Sequence, residues 1–307
     1  MTSSDSLDGT VVLLTGGTGG LGAETARALA DRGASIAVVG RDRSRGEAVA
    51  ADLAARNGDG WVEFYRADLA SQASVRRLAD RFRERHDRLD VLVNNAGIHR
   101  SRRTETDDGV ESTLAVNHLA PYLLTHDLVD LLVESAPARV VTVSSGLHRR
   151  VSLDFANLQG EHGYDGMEAY GRSKLANVLF TRVLADRLDG TGVVANAVDP
   201  GFVPSTGLSR EASLRTRLLF GAFERLPLPF TNDVEAGAET LIRAAADPAF
   251  ADVTGAYLSD GEVGEAADAA HDEVAGQRLW DVSAGLVGVS PDWRLEDSPV
   301  GETGDDS

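Results

Sequence analysis

The sequence predicts one α/β domain, a doubly wound parallel sheet of about seven strands with helices on both faces. Three observations carry that expectation. Short β-branched runs recur along the chain, longer stretches of helical period separate them, and a glycine-rich turn joins the first run to the first helical stretch. Strands that are apolar on both sides are buried on both sides, the arrangement of a parallel sheet between helical layers.

In order, the runs are VVLLT (11–15), SIAVV (35–39), WVEFY (61–65), LDVLV (89–93), RVVTV (139–143), VVANAV (193–198) and GAYLS (255–259). After the first comes GAETARALADRG, where Ala23, Ala26, Leu29 and Ala30 keep helical spacing and Gly33 supplies the stop. Residues 168–189 repeat the helical period ahead of the sixth run. Right-handed crossovers then place helices on both faces. No linker interrupts the alternation, so residues 1–290 are expected to form one domain and 291–307 an acidic, disordered tail, of which 296–307 lacks apolar anchors. Residues 202–232 are an irregular insertion with an amphipathic helix carrying Leu214, Leu218, Leu219 and Phe223.

Composition excludes several chemistries. The chain has 307 residues, 42% of them apolar, ample for a buried core, and a formal charge of −18 that argues against nucleic acid or an anionic membrane as partner. It has no cysteine, which removes disulfides, thiolate catalysis and cysteine-bound zinc. The seven histidines are scattered without an H-E-x-x-H pair, so no metal is expected. There is no basic, apolar leader and no apolar run of ~18 residues, which leads to the expectation of a cytoplasmic protein without a membrane anchor. With 48 acidic residues and a single lysine, the chain is expected to work in a salt-rich cytoplasm. At about 1 M salt the Debye length shrinks to ~3 Å and self-repulsion is screened. Melting temperature and activity should therefore rise from dilute buffer into molar KCl; a fall in both rejects this expectation.

The chemistry lies in four motifs. TGGTGGLG (15–22) follows the first strand, and its glycines allow a tight turn and close approach of a pyrophosphate to a helix N-terminus. Two spacings fit: Gly16, Gly20 and Gly22, or Gly16, Gly19 and Gly22. Where the second strand ends, an acid would take a ribose 2′-hydroxyl and an arginine a 2′-phosphate. The sequence there is VVGRDRSRG, with Gly40 in place of the acid and Arg41, Arg43 and Arg45 following, which predicts NADP(H) with Arg41 as main contact. Asp42 is the competing reading, as ribose acceptor for NAD(H).

The only lysine, Lys174, stands four residues after Tyr170 in YGRSK, on one helical face. With five tyrosines in the chain, chance gives that match about twice in a hundred. An adjacent ammonium and a cationic nicotinamide ring both favour the phenolate, and a lowered phenol pKa suits proton exchange with an alcohol or carbonyl. A compact ammonium also fits beneath a phenol and reaches two ribose hydroxyls, where a planar guanidinium directs its donors differently. Finally VVTVSSG (140–146) ends in hydroxyls at the carboxyl edge of the sheet, where Ser144 or Ser145 could donate to a substrate carbonyl.

With TGGTGGLG, NNAG (94–97), SS (144–145) and YGRSK (170–174) in this order, the sequence resembles the short-chain dehydrogenase/reductase family over residues 10 to about 288. The resemblance implies a Rossmann-type fold and a catalytic tetrad: Tyr170 as acid/base, Lys174 as its electrostatic partner and ribose ligand, Ser145 orienting the carbonyl, and Asn117 of AVNHLA holding a relay water. It implies further cofactor contacts at Gly16, Thr18, Gly20, Leu21, Gly22, Asp68, Leu69, Asn94, Ala96, Gly97, Pro200, Gly201, Val203 and Ser205. Residues 202–232 become a substrate lid, whose leucines suggest an apolar small-molecule carbonyl or alcohol. The interval from Ser145 to Tyr170 is longer than the family's commonest, and the insert VSLDFANLQGEHGYDG (151–166) with SKLANVLFTRVLADRL resembles the retinol dehydrogenase-like branch, which includes WW-domain oxidoreductases and protochlorophyllide reductases. Homo-oligomers paired through the helices around Asn117 and Tyr170 and monomers both occur in the family. Two other readings are a sugar-nucleotide epimerase, suggested by the second glycine spacing, and a non-catalytic NADP(H) sensor.

Overall fold

A computed structural model describes residues 6–201, 203 and 234–293. All seven expected strands form, their ends displaced by at most two residues: β1 (Val11–Thr15), β2 (Ser35–Gly40), β3 (Val62–Arg66), β4 (Val91–Asn94), β5 (Ala138–Val143), β6 (Val193–Asp199) and β7 (Tyr257–Ser259). An eighth strand corrects the expected count. β8 (Glu262–Gly264) folds back antiparallel on β7 through a turn with positive φ at Asp260 and Gly261. Three residues, with Val263 at the exposed edge, are too few for a periodic signal.

The sheet order is β3-β2-β1-β4-β5-β6-β7-β8, parallel from β3 to β7. The order reverses between β1 and β4, and such a switch point opens a crevice at the carboxyl ends of the strands. Along each strand successive residues feed opposite layers. Leu13, Ala37, Leu92, Val140 and Ala195 pack with helices α3 (Gln72–Arg83), α5 (Ala120–Glu134) and α6 (Gly166–Arg187). Leu14, Val38, Val93, Val141 and Val198 face α1 (Gly20–Ala30), α2 (Arg43–Ala54) and α7 (Val234–Ala246). Helix starts are capped by side chains: Asp42 on α2, Ser71 on α3, and Asp165 on α6. Ahead of α5 the chain runs as α4 (Ser112–Leu114) and a π-helical stretch, Ala115–Leu119.

The last helix, α8 (Glu273–Val287), packs against α6. Trp280, 1% exposed, stacks on Phe180 and meets Tyr122 edge-on, and its Nε1 donates to the Pro291 carbonyl at 2.8 Å. Trp293 packs on Trp280 and Tyr122 in turn. The chain is thus packed beyond the boundary expected at residue 290, because the indole of Trp293 is the apolar anchor that the acidic composition of the stretch hides. The remainder of the expected tail lies outside the described residues, as does the expected lid at 202–232 apart from Val203. Among the described residues no helix is long and apolar enough to cross a membrane, and no group of three His, Asp or Glu could hold a metal.

Candidate active site

The expected site residues that the structure describes gather at the carboxyl edge of the sheet, at or just past the ends of β1 to β6, or on helices reaching that edge. Ser205 lies outside the described residues. In the β1–α1 turn, Gly16 (φ +70°) and Gly20 (φ +54°) occupy the left-handed region, whereas Gly19 is extended, with nothing within 4 Å of a Cβ placed there. A Cβ on Gly22 would come within 2.5 Å of both Asn95 Nδ2 and the Gly16 carbonyl. The requirement for glycine therefore falls on Gly16, Gly20 and Gly22, which decides between the two spacings. Gly19 and Gly20 are exposed and lead into the N-terminus of α1, where backbone N–H groups receive anions.

Thr15 and Asn95 lock this turn to the NNAG loop. Thr15 Oγ1 accepts from Asn95 N at 3.0 Å and Ala96 N at 3.2 Å, and Asn95 Nδ2 donates to the Thr15 carbonyl at 2.8 Å. Asn94 is buried in β4 and donates to Thr125 Oγ1 at 3.2 Å. Leu21 packs with Val203, Ala238 and Ile242, so its contribution to a ligand is confined to its backbone. Leu69 packs against the core, and Asp68 is exposed at the end of β3 with Oδ1 accepting from Ala70 N at 3.1 Å.

The end of β2 holds the residues of both readings of VVGRDRSRG. The strand ends at Gly40, where a Cβ would meet the Thr18 side chain at 2.6 Å. Asp42 is engaged as a helix cap, its Oδ1 accepting from Arg45 N at 3.0 Å. Arg43 pairs with Glu47 along α2, while exposed Arg41 and Arg45 have no ion-pair partner among the described residues. Arg66, exposed on β3, joins them and donates from Nε to the Arg41 carbonyl at 3.2 Å.

Past β5 the two serines divide. Ser144 is buried, its N–H donating to the Val198 carbonyl at 2.7 Å and its hydroxyl to the Lys174 carbonyl at 2.9 Å. Ser145 is half-buried and turned towards Tyr170, whose ionised form it favours. Lys174 is 2% exposed, donates from Nζ to the Val143 carbonyl at 2.9 Å and lies 5.6 Å from the centre of the Tyr170 ring. Gly97 closes over the ammonium, since a Cβ there would stand 3.5 Å from Lys174 Nζ. Burial pulls the Lys174 pKa down to about 8, and the carboxylate of Asp199 opposes that fall.

Two features of the structure bear on the expected chemistry. Among the protein's own groups the Tyr170 phenol is raised above its ordinary value, first by burial and then by Asp199, with Ser145 opposing. The ammonium lies towards the ring rather than at the hydroxyl, so desolvation wins. The Asn117 side chain, fully buried in the π-helical stretch, is also spoken for: Oδ1 accepts from Ile98 N at 2.7 Å, and Nδ2 donates to the Ile98 carbonyl and to Ser173 Oγ, each at 2.9 Å. A water held at Asn117 would have to use the main chain, which a π turn offers by widening its hydrogen bonds to i→i+5.

The short chain dehydrogenase family model matches residues 10–216. The chain belongs to that family of oxidoreductases. This short-chain dehydrogenase is 40% identical to mouse retinol dehydrogenase 12 over 288 residues, 94% of this chain and 89% of the relative. It is 40% identical to human retinol dehydrogenase 11, covering 95% and 90% of the two chains. Among solved structures, a Mycobacterium paratuberculosis protein superposes with a TM-score of 0.75 at 31% identity, covering 94% of this chain and 97% of that one. The Pseudomonas aeruginosa RhlG/NADP active-site complex gives 0.68 at 31% identity, covering 85% and 98%.

Sequence reasoning missed several residues of this short-chain dehydrogenase. Asn95 stands inside the quoted NNAG, yet its role depends on Thr15, eighty positions away. His148 is fully buried, with Nδ1 on the Ser145 carbonyl at 2.7 Å and Nε2 accepting from Ala267 N at 3.0 Å. Asp199 and Tyr257 meet at 2.6 Å beneath the same loop. Only the D of DPGFV hinted at any of these.

Proposed function

We propose that this chain transfers hydride reversibly between NADP(H) and a carbonyl/alcohol pair, with Tyr170 as the proton donor and acceptor. The observation that carries the reading is the sole lysine, buried beneath Tyr170 on the Val143 carbonyl, with Ser145 alone of the two serines turned to the phenol. The residues fit a phosphorylated dinucleotide: an open glycine turn at a helix N-terminus, and Arg41, Arg45 and Arg66, without an ion-pair partner among the described residues, where a 2′-phosphate would lie. When bound, the dinucleotide supplies or takes the hydride. Ser145 then donates to the carbonyl oxygen and fixes its approach, Tyr170 passes it a proton, and Lys174 stabilises the phenolate left behind. Lys174 and Gly97, drawn together over Asn117, hold the ribose side of the site closed to water. An apolar substrate is supported by the names of the retinol dehydrogenases among the relatives and by the leucines of 202–232.

NADPH consumption with a graded panel of aldehydes and ketones tests the reading, and no turnover with any carbonyl or alcohol, with either dinucleotide, overturns it. Arg41→Ala tests the cofactor. A charge-assisted contact of ~1.5–3 kcal/mol predicts a drop of roughly 10- to 100-fold in kcat/KM for NADPH with little change for NADH. A preference for NADH in both proteins, indifferent to Arg41, instead assigns the ribose to Asp42.

A further inference from the structure

Asp199 is a buried carboxylate that the proposed chemistry leaves unused. It ends β6, and it shares the side of that strand occupied by Ala197, which packs with Leu175 and Leu179 of α6. Lys174 reaches the same place from α6, because its Nζ sits on the carbonyl of Val143, whose partner across the sheet is Val198. The two groups thus flank one pair of strand ends. Both carboxylate oxygens of Asp199 are also bound: Oδ1 accepts from Gly201 N at 2.9 Å and Oδ2 from the Tyr257 hydroxyl at 2.6 Å. Oδ2 lies 3.3 Å from where a Cβ on Gly146 would stand, directly under the Ser145 turn.

We infer that Asp199 is a positioning residue of the proposed reaction: the buried counter-charge that keeps Lys174 an ammonium, and the pin that holds the Pro200–Gly201 turn opposite Ser145. The inference rests on the hydride-transfer reading for its consequence but not for its electrostatics. A lone buried ammonium would shed its proton, and a carboxylate with two hydrogen bonds of its own is a fixed partner. Among the described residues, the other groups facing the pair leave Asp199 as the only opposite charge. Tyr170, on α6, is neutral. Tyr257, on β7, is held protonated by burial and by Asp199 itself. His148, in the turn after β5, is buried with its Nδ1 proton on the Ser145 carbonyl and its pKa lowered by desolvation. Arg149 lies over the far ring of Tyr257, 5.6 Å from its centre. The same carboxylate raises the Tyr170 phenol, so it works for the reduction direction, in which the phenol must carry its proton.

The single lysine makes the test direct. Lysine labelled with carbon-13 at Cε gives one side-chain resonance for the whole protein, and its titration reads Lys174 without any turnover. In the parent the midpoint should fall near the value of about 8. Asp199→Asn keeps an acceptor for Gly201 N but removes the charge, and should lower the midpoint by at least ~1 pH unit. Asp199→Ser serves the same purpose if the amide disturbs folding. Tyr257→Phe keeps the carboxylate and should leave the midpoint within about 0.3 unit. In NADPH-linked ketone reduction, Asp199→Asn should be slowed roughly fivefold more at pH 8 than at pH 6, since a one-unit fall takes the ammonium fraction at pH 8 from about a half to about a tenth and leaves it nearly full at pH 6. An unchanged lysine midpoint overturns the inference, as does an activity loss equal at both pH values. A parent that titrates as expected yet reduces nothing leaves the counter-charge standing and rejects the hydride-transfer reading alone.

Discussion

Tyr170→Phe should lower kcat for carbonyl reduction by roughly 10²- to 10⁴-fold, the range that a positioned general acid contributes. The substitution removes one oxygen from a side chain that is 9% exposed, and the ring keeps its contacts with Lys174 and His99. The loss should therefore appear in kcat, while dinucleotide affinity, measured by fluorescence titration, changes only a few-fold. Lys174→Arg should be comparably damaging for a different reason. The ammonium is enclosed by the Val143 carbonyl, Gly97 and the Tyr170 ring, and a guanidinium is too broad for that space and directs its donors differently. Steady-state kinetics decide the matter: a phenylalanine variant within tenfold of the parent would remove Tyr170 from the chemistry and leave water or Ser145 to supply the proton.

Trp280→Ala should cost about 3–5 kcal/mol of stability, the range for deleting a buried indole. Trp280 joins α8 to the body through Phe180 and Tyr122, and on its other side it carries Trp293 and the Arg187 guanidinium, 4.5 Å from the ring centre. The same helix reaches the site, because Ser283 hydrogen-bonds Nε2 of the fully buried His118 at 2.8 Å, one residue from Asn117. Burial drives His118 down to about 4, so the imidazole is neutral there at physiological pH and serves as a structural link. Urea unfolding measures the loss, and activity well below the melting point should be nearly retained. A change under ~1 kcal/mol would show that α8 is an ornament on a core stable without it.

The sequence by itself determined the fold class and the helix that carries Tyr170 and Lys174. Both follow from local regularities: apolar runs that can only be strands between two layers, and a four-residue spacing that puts two side chains on one helical face. It also pointed to the glycine turn, the arginines after β2 and the SS dipeptide, but as alternatives. Tertiary structure gave each its surroundings: Ser144 spends its hydroxyl on the Lys174 carbonyl, Asp42 caps α2, and Gly20 rather than Gly19 takes the left-handed turn. It also showed burial and Asp199 raising the Tyr170 phenol among the protein's own groups, and brought in Tyr257 and His148. The physical reason is range. Periodicity and spacing report on a few neighbouring residues, whereas desolvation and through-space charge depend on strands and loops dozens of positions apart, and those meet only when the sheet closes.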